Sequence, residues 1–499
     1  MGCLAIVGIG AGCYLGYKYL VQDNILGLNF DSPFEIVLNP SATPARGATP
    51  TAPRTGTSTS RSTSTPGSWS PEAALQTLKT LSEAEVPNND PRDLVARYKG
   101  IQGIPEVLEN PAKAYKEGDQ EEFWVVNGDT DIYSKVKVSL AYATPHLYFW
   151  IQDGVKYTRS EVQKLCDTFE DKIYPTNRQF FGSEWTPGID GDPHLYVVYT
   201  KGLGTRVAGY FSSADSVHPL ASAYSNGHEM FVMNSASMTL KDQFIYTVLA
   251  HEFQHMIHWY RDRNEESWLN EGFSELAAFL NGYDVGGHDY SFALTPDLQL
   301  NDWPNDKNKT LPHYGASFLF VDYFLNRFGP QATQELVANS DNGLKSVDEV
   351  LNKLGITDKT TGKPVSADDV FVDWTLTNYL RDKTVGDGRF FYSNYTSVPR
   401  FKDTETIKTC PVEGLARTVN QYGADYLRIA CRGQVTLNFK GAREVGVLPA
   451  SAHSGQKAFW SNKGDESDMS LTQTFDLTNL KGAATLTYWT WYDLEENYD

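Results

Sequence analysis

The pentapeptide His251-Glu252-Phe253-Gln254-His255 lies inside the longest stretch of helical spacing in this sequence, from about Thr239 to Arg261. Four residues of α-helix advance about 400°, so the two histidines lie one turn apart on one face and their imidazoles converge. Such a pair offers two nitrogen ligands to zinc, and Glu252, about 100° around the helix, reaches a water on the metal. The motif therefore predicts a helix that carries a zinc site.

The same helix has an apolar stripe, which predicts that it is buried. Four apolar side chains project within about 80° of one another, and two more flank the histidines. They are Ile245, Leu249, Phe253 and Met256, flanked by Phe244 and Val248. Because buried imidazoles without partners are costly, a bound metal accounts for both histidines.

A catalytic zinc needs a third protein ligand and an open position for water. Three residues are candidates for that ligand: His258, Glu271 and Glu275. The metzincin pattern HExxHxxGxxH is excluded, since His258 replaces its glycine and Arg261 its third histidine. The remaining possibility is a glutamate on a second helix packed against the first.

Composition excludes several other classes of protein. Lys and Arg number 43 against 62 Asp and Glu, giving a net charge of −19 with no basic run, so nucleic acid is not an expected partner. Five cysteines in 499 residues exclude a disulfide scaffold. Aromatic residues make up 13% of the chain and require burial, which excludes disorder throughout.

The N-terminal segment 1–30 is apolar from Leu4 to Val21 except at Lys18. It fits a signal peptide, a weak membrane anchor, a lipidated segment ending at Cys13, or a buried first strand or helix. We favour export, because residues 31–71 form a Ser/Thr/Pro-rich linker that is typical of a tether. The expected location is extracytoplasmic, either secreted or tethered, with membrane contact only through this segment.

The rest of the chain predicts a multidomain α+β protein. Residues 72–157 have helical spacing followed by a small antiparallel sheet, and form an accessory region or an inhibitory pro-region. The pattern of residues 158–400 indicates a mixture of helices and strands. In residues 401–499, apolar and polar side chains alternate along short segments, which predicts a β-sandwich that continues beyond this chain. The strand at 229–234 is expected to lie at a sheet edge and to bind an extended substrate.

The stretch Trp268-Leu269-Asn270-Glu271-Gly272-Phe273 after the histidines resembles the gluzincin metalloproteases. More narrowly, HEFQHMIHW with WLNEGFSE is similar to the hyicolysin-like and immune inhibitor A-like secreted bacterial metalloproteases. The resemblance covers most of 158–400, and FWSNKGDESDMSLTQTFDLT looks like the sandwich of immune inhibitor A-type proteins. It implies a zincin-like catalytic domain at 158–400. Two departures disfavour an aminopeptidase. The stretch between His255 and Glu271 is shorter than in the aminopeptidase gluzincins, and no GxMEN exopeptidase motif lies upstream of His251.

The resemblance also implies roles for the acidic residues and for His258. Glu271 would be the third zinc ligand, and Glu275 would accept a hydrogen bond from the far nitrogen of a zinc-bound histidine. The alternative for Glu275 is a position on a solvated helix face. His258 would support the site or pack in the core. Glu252 would act as the general base on the zinc-activated water.

A tetrahedral oxyanion needs a second donor besides zinc. Tyr314 and His313, in LPHYGASF, are the candidates, and ordinary packing at a helix start is their alternative. The expected function is therefore a zinc endopeptidase acting on proteins or peptides. The alternatives are an inactive metalloprotease-like adhesion or carbohydrate-binding protein, and a cytosolic metallo-hydrolase of small molecules.

Two acidic pairs could bind structural Ca²⁺, namely Asp190 with Asp192 and Asp302 with Asp306. They lack the spacing of an EF-hand loop, so turn formation explains them better.

The cysteines differ in their expected roles. Cys410 and Cys431 are disulfide partners or two buried thiols, and a bond between them would contribute about 3 kcal/mol in the loop-entropy model. Cys166 is expected in the core.

Overall fold

The structure, a computed structural model, describes residues 70–109, 113–479 and 481–493. The segment predicted as a signal or anchor and nearly all of the tether lie outside these residues. The described chain forms two compact units: residues 85–440 with 459–493, and residues 70–84 with 441–458. The first unit contains every candidate site residue. Among the described helices, none is both long enough and apolar enough to cross a bilayer.

A six-stranded mixed sheet forms the framework of the first unit. Its spatial order is β1-β2-β3-β4-β6-β5. Strands β1 to β3 are antiparallel, β3, β4 and β6 run parallel, and β5 is antiparallel to β6. The strands are β1 (Gln120–Asn127), β2 (Ile132–Ala143), β3 (Leu147–Gln152), β4 (Leu195–Thr200), β5 (Gly209–Phe211) and β6 (Met230–Asn234).

Both faces of the sheet are buried along β3 to β6, which explains the almost uninterrupted apolar residues of these four strands. On one face, Phe149 and Val197 pack into the large core beneath the helices. On the other, Trp150 and Val198 join a second cluster with residues of β1 and β2. Strand β6 pairs with β4 and β5 and is therefore interior, so the expectation that 229–234 is an edge strand is wrong; β5 is the last strand on that side.

The helices of the first unit pack mainly on the face of the sheet that carries Phe149. A π-helical turn (Phe169–Ile173) joins the helix Arg159–Thr168 to the helix Tyr174–Phe181, and the helix Leu311–Val337 is interrupted at Gly329 before Pro330. These helices are α2 (Pro91–Lys99), α3 (Arg159–Thr168), α4 (Tyr174–Phe181), α5 (Phe244–Arg261), α6 (Ser267–Leu280), α7 (His288–Leu294), α8 (Leu311–Val337), α9 (Gly343–Lys353) and α10 (Ala367–Leu380). The described part of the second unit contains α1 (Pro71–Ser82).

The mixed α+β class is confirmed, but the predicted division of the chain differs from the structure in two ways. The small N-terminal sheet is not separate, because β3 pairs with β4 across the predicted boundary at residue 157. The predicted C-terminal sandwich is not present in the described part of 401–499, which has two short parallel strands, β7 (Glu405–Ile407) and β8 (Leu427–Ile429). Alternating apolar residues there, such as Phe439 at 88% exposure, have no second sheet to cover them.

The cysteines agree with the sequence-based expectation. Cys410 and Cys431 form a disulfide bond, which excludes the alternative of two buried thiols. Cys166 is buried in the large core beneath the helices.

Candidate metal centre

Helix α5 carries the two histidines and Glu252 into the core. Its apolar stripe is buried as predicted, with Ile245, Leu249 and Phe253 fully inaccessible to solvent. His251, Glu252 and His255 are themselves 0–3% exposed. The helix ends at Arg261, and after a loop of five residues α6 begins at Ser267 and returns along it.

Helix α6 brings Glu271 to the two histidines. Glu271 Oε2 lies 3.2 Å from His251 Nε2 and 3.4 Å from His255 Nε2, and the two Nε2 atoms are 3.0 Å apart. Ligands about 2.0–2.1 Å from a tetrahedral zinc are separated by about 3.3 Å. The three atoms therefore form a triangle of the size that one zinc ion requires.

The other ring nitrogen of His255 has hydrogen-bond partners on α6. Its Nδ1 lies 2.7 Å from Asn270 Oδ1 and 3.0 Å from Ser274 Oγ. Donation from Nδ1–H to Asn270 leaves the lone pair of Nε2 facing the triangle. His255 is thus held in the tautomer that binds a metal through Nε2.

Glu275 lies between two histidines, one turn beyond Glu271. Its Oε1 is 3.7 Å from His251 Nδ1 and 3.3 Å from Nδ1 of His288, which lies on α7. Burial lowers the pKa of His288, but the carboxylates of Glu275, Asp289 and Glu271 together raise it above its usual value. His251 differs, since burial lowers its pKa and favours the neutral imidazole that binds metal.

Glu252 points from α5 toward strand β5. Its Oε2 accepts a hydrogen bond of 2.8 Å from the backbone N–H of Phe211, and its Oε1 has no hydrogen-bond partner. Burial raises the pKa of Glu252 well above its usual range, and the charge of Glu271 adds to the shift. When ionised, the carboxyl is therefore a stronger base than a solvated glutamate, and it is held near Glu271 and against the last strand of the sheet.

Of the two candidate oxyanion donors, the structure brings Tyr314 to the centre. The ring centroid of Tyr314 is 6.3 Å from that of His251 and 5.2 Å from that of His288. Burial and the nearby carboxylate of Glu271 raise the pKa of Tyr314, so its hydroxyl stays a donor. His313 instead stacks edge-on against Trp303, 5.8 Å between centroids, and its catalytic role stays a prediction.

The donor set fits zinc. Glu271 Oε2, one corner of the triangle, is buried without a hydrogen-bond partner, which is costly unless a cation is present. Two imidazoles and one carboxylate are the ligands of a catalytic zinc that keeps one position open. His251, His255 and Glu271 would hold the ion, whereas His258 belongs to a different cluster, with Asp262 and Glu265.

Comparison with known proteins agrees with this chemistry. No protein-family model matches the chain. A stretch of 265 residues is 26% identical to the neutral metalloprotease ShpI of Staphylococcus hyicus. The chain is similar to a metalloprotease. The match covers 49% of the chain and 57% of the relative, so it spans little more than half of that protein. It supports a metalloprotease family, while the narrower immune inhibitor A-like or hyicolysin-like assignment stays a prediction.

The acidic pairs considered for Ca²⁺ have other partners. Asp190 Oδ2 lies 2.6 Å from His228 Nδ1, and Asp190 Oδ1 accepts from the backbone N–H of Asp192. Asp302 pairs with Lys463, and Asp306 accepts from the backbone N–H of Asn308. These contacts form turns and ion pairs and give calcium no support.

Three residues around the centre were missed in the sequence. Asn270 and Ser274 are one helical turn apart and stand on either side of Glu271 in the sequence. Their spacing on α6 could therefore have indicated that both face the same histidine. No pattern in the sequence around His288 indicated that it belongs to the centre, because a separate short helix brings it there. That approach requires Gly315 on α8, where a Cβ would lie 2.1 Å from the carbonyl oxygen of His288.

Gly272 determines how closely α6 packs on α8. A Cβ at this position would lie 2.8 Å from Val321 Cγ2 and 2.9 Å from the carbonyl oxygen of Ser317. We expect Gly272→Ala to lower the free energy of unfolding by about 1–3 kcal/mol and to weaken metal binding, because α6 must shift with Glu271. Gly482→Ala, whose added methyl meets nothing within 4 Å, is the matched control. Equal denaturation midpoints for the two variants would contradict this packing argument.

Proposed function

We propose that this chain is a zinc-dependent endopeptidase that hydrolyses peptide bonds of proteins outside the cytoplasm. The observation that carries the proposal is the buried triangle of His251, His255 and Glu271, with Glu252 beside it. The similarity to a neutral metalloprotease supports the same reaction class. The Cys410–Cys431 disulfide supports an oxidising location, as does the tether-like composition of residues 31–71.

When bound, zinc supplies a Lewis acid that polarises the substrate carbonyl and lowers the pKa of water. Glu252 takes the proton of the attacking water and passes this proton to the leaving amine. The Phe211 N–H holds one carboxyl oxygen of Glu252, and the other oxygen, which has no hydrogen-bond partner, is available to accept the proton. Glu275 and Asn270 keep the two histidines in place.

Tyr314 is the proposed donor to the developing oxyanion. It is buried beside Glu271 and remains protonated over the working pH range. The substrate would lie extended along β5, since no described strand pairs with the outer edge of β5. The hydrogen bond of 2.8 Å from the Phe211 N–H to Glu252 joins β5 to the proposed general base, so the reacting carbonyl of a substrate on this strand would lie near Glu252.

Selective metal removal tests the proposal. The full chain is incubated with labelled casein, an unfolded substrate, in the presence of 1,10-phenanthroline. We expect cleavage to stop and to return when Zn²⁺ is added, because the ion is part of the catalytic centre. The isomer 1,7-phenanthroline does not chelate and is the matched control.

Two outcomes would contradict the proposal. Undiminished cleavage by protein shown to be free of metal would exclude a metal-dependent reaction. Equimolar zinc with no cleavage of casein or of varied peptides would instead favour the inactive adhesion or carbohydrate-binding protein.

A further inference from the structure

A second buried cluster lies at the turn between α5 and α6. His258 is on the last turn of α5, Asp262 caps that helix, and Glu265 is in the connecting loop. Each offers one ligand atom, and these atoms all lie within 4.8 Å of one another. The three residues are 0–5% exposed, so the cluster is closed to solvent.

The polar atoms of this cluster are unsatisfied. Neither ring nitrogen of His258, nor Asp262 Oδ2, nor Glu265 Oε2 has a hydrogen-bond partner among the described residues. Asn270 is near enough to affect the pKa of His258, but no hydrogen bond of normal geometry joins them. Four buried polar atoms without partners in one place would each cost free energy.

The remaining contacts hold the ligand atoms in position. Glu265 Oε1 accepts from the backbone N–H groups of Gly343, at 2.7 Å, and Glu266, at 2.6 Å, which leaves Oε2 facing the cluster. Burial lowers the pKa of His258 to about 3, so the ring is neutral, and it raises the pKa of Asp262 to about 7 and that of Glu265 well above its usual range. A bound cation would favour the ionised carboxylates and reverse these two increases. The cluster also lies at the C-terminal end of α5, where the helix dipole favours a positive charge.

We propose that His258, Asp262 and Glu265 bind a second divalent cation, of the zinc type, that fixes the turn between α5 and α6. One imidazole and two carboxylates suit Zn²⁺ or a similar transition metal, whereas Ca²⁺ prefers a shell of oxygen ligands. Because this turn joins the helix of His251 and His255 to the helix of Glu271, the second ion holds the three catalytic ligands together.

Zinc stoichiometry in the full chain tests the second site. After removal of metal and reconstitution with Zn²⁺, we expect two equivalents in the wild type. Asp262→Asn with Glu265→Gln should retain one equivalent, as should His251→Ala with His255→Ala. Asp322→Asn is the control, since Asp322 is also a buried carboxylate with an unpartnered oxygen but lies on α8 outside both clusters. It should retain two equivalents.

One equivalent in the wild type, or two equivalents in Asp262→Asn with Glu265→Gln, would overturn the second site. If that variant does not fold, the thermal unfolding of His251→Ala with His255→Ala decides: added Zn²⁺ should raise its midpoint by several degrees, and an unchanged midpoint overturns the proposal. The peptidase proposal fails separately, since two bound ions without cleavage would reject the activity and leave the second site standing.

Discussion

Glu252→Gln should lower kcat for peptide cleavage by about 10²–10⁴-fold while leaving the zinc content unchanged. The substitution removes the proton acceptor and keeps its shape, and the amide oxygen can still accept the hydrogen bond from the Phe211 N–H. Burial already disfavours the charged carboxylate at this position, so the neutral amide should not destabilise the fold. The measurements are steady-state cleavage of a peptide and elemental analysis of the same samples.

The control for Glu252→Gln is Glu349→Gln, which makes the same chemical change at an exposed position of α9. This variant should keep the activity and the zinc of the wild type. Full activity in Glu252→Gln would rule out the proposed general base. A loss of activity that is accompanied by a loss of zinc would show that Glu252 acts on the metal rather than on the proton.

Glu271→Ala should weaken zinc binding by on the order of 10³-fold, because one of three ligands is removed from a site whose binding free energy is spread over few atoms. Activity should fall with zinc occupancy. Glu275→Ala should weaken zinc binding less, by about 10–100-fold, because Glu275 contacts His251 and would not contact the ion. Zinc affinity is measured by competition with a chromogenic chelator.

The order of affinities distinguishes a ligand from a residue that orients one. The expected order is wild type, then Glu275→Ala, then Glu271→Ala, with Glu349→Ala equal to the wild type. Equal affinities for the wild type and Glu271→Ala would remove Glu271 from the ligand set. A greater loss in Glu275→Ala than in Glu271→Ala would exchange their assigned roles.

The parts of the molecule that follow local periodicity could be predicted from the sequence. Helix α5 was expected at about 239–261 and is found at Phe244–Arg261, because its apolar stripe and the two histidines follow the period of a helix. The second helix, predicted to carry the third ligand and to pack against the first, is found as α6 at Ser267–Leu280. The return of α6 along α5 follows from the short loop, so the meeting of Glu271 with the histidines was foreseeable.

What depends on contacts distant in sequence could not be predicted. His288 reaches Glu275 through a separate helix, and Glu252 finds its hydrogen-bond donor 41 residues away in β5. Strand order also depends on distant pairing: nothing in the apolar run 229–234 distinguishes an interior strand from an edge strand. The alternation of apolar and polar residues after residue 400 predicted the strands of a sandwich. Such alternation produces a strand only where a partner strand is available for pairing.

The pairing of β3 with β4 bears on how the chain can mature. If residues 72–157 were an inhibitory segment that is cut and released, β4 would lose its neighbour, and the apolar side chains opposite Trp150 would meet water. The exposed edge of β4, with its unpaired backbone N–H and C=O groups, would then be a template for aggregation. A cut between Gln152 and Arg159 should therefore yield a nicked protein whose two pieces copurify, and separating them should require a denaturant.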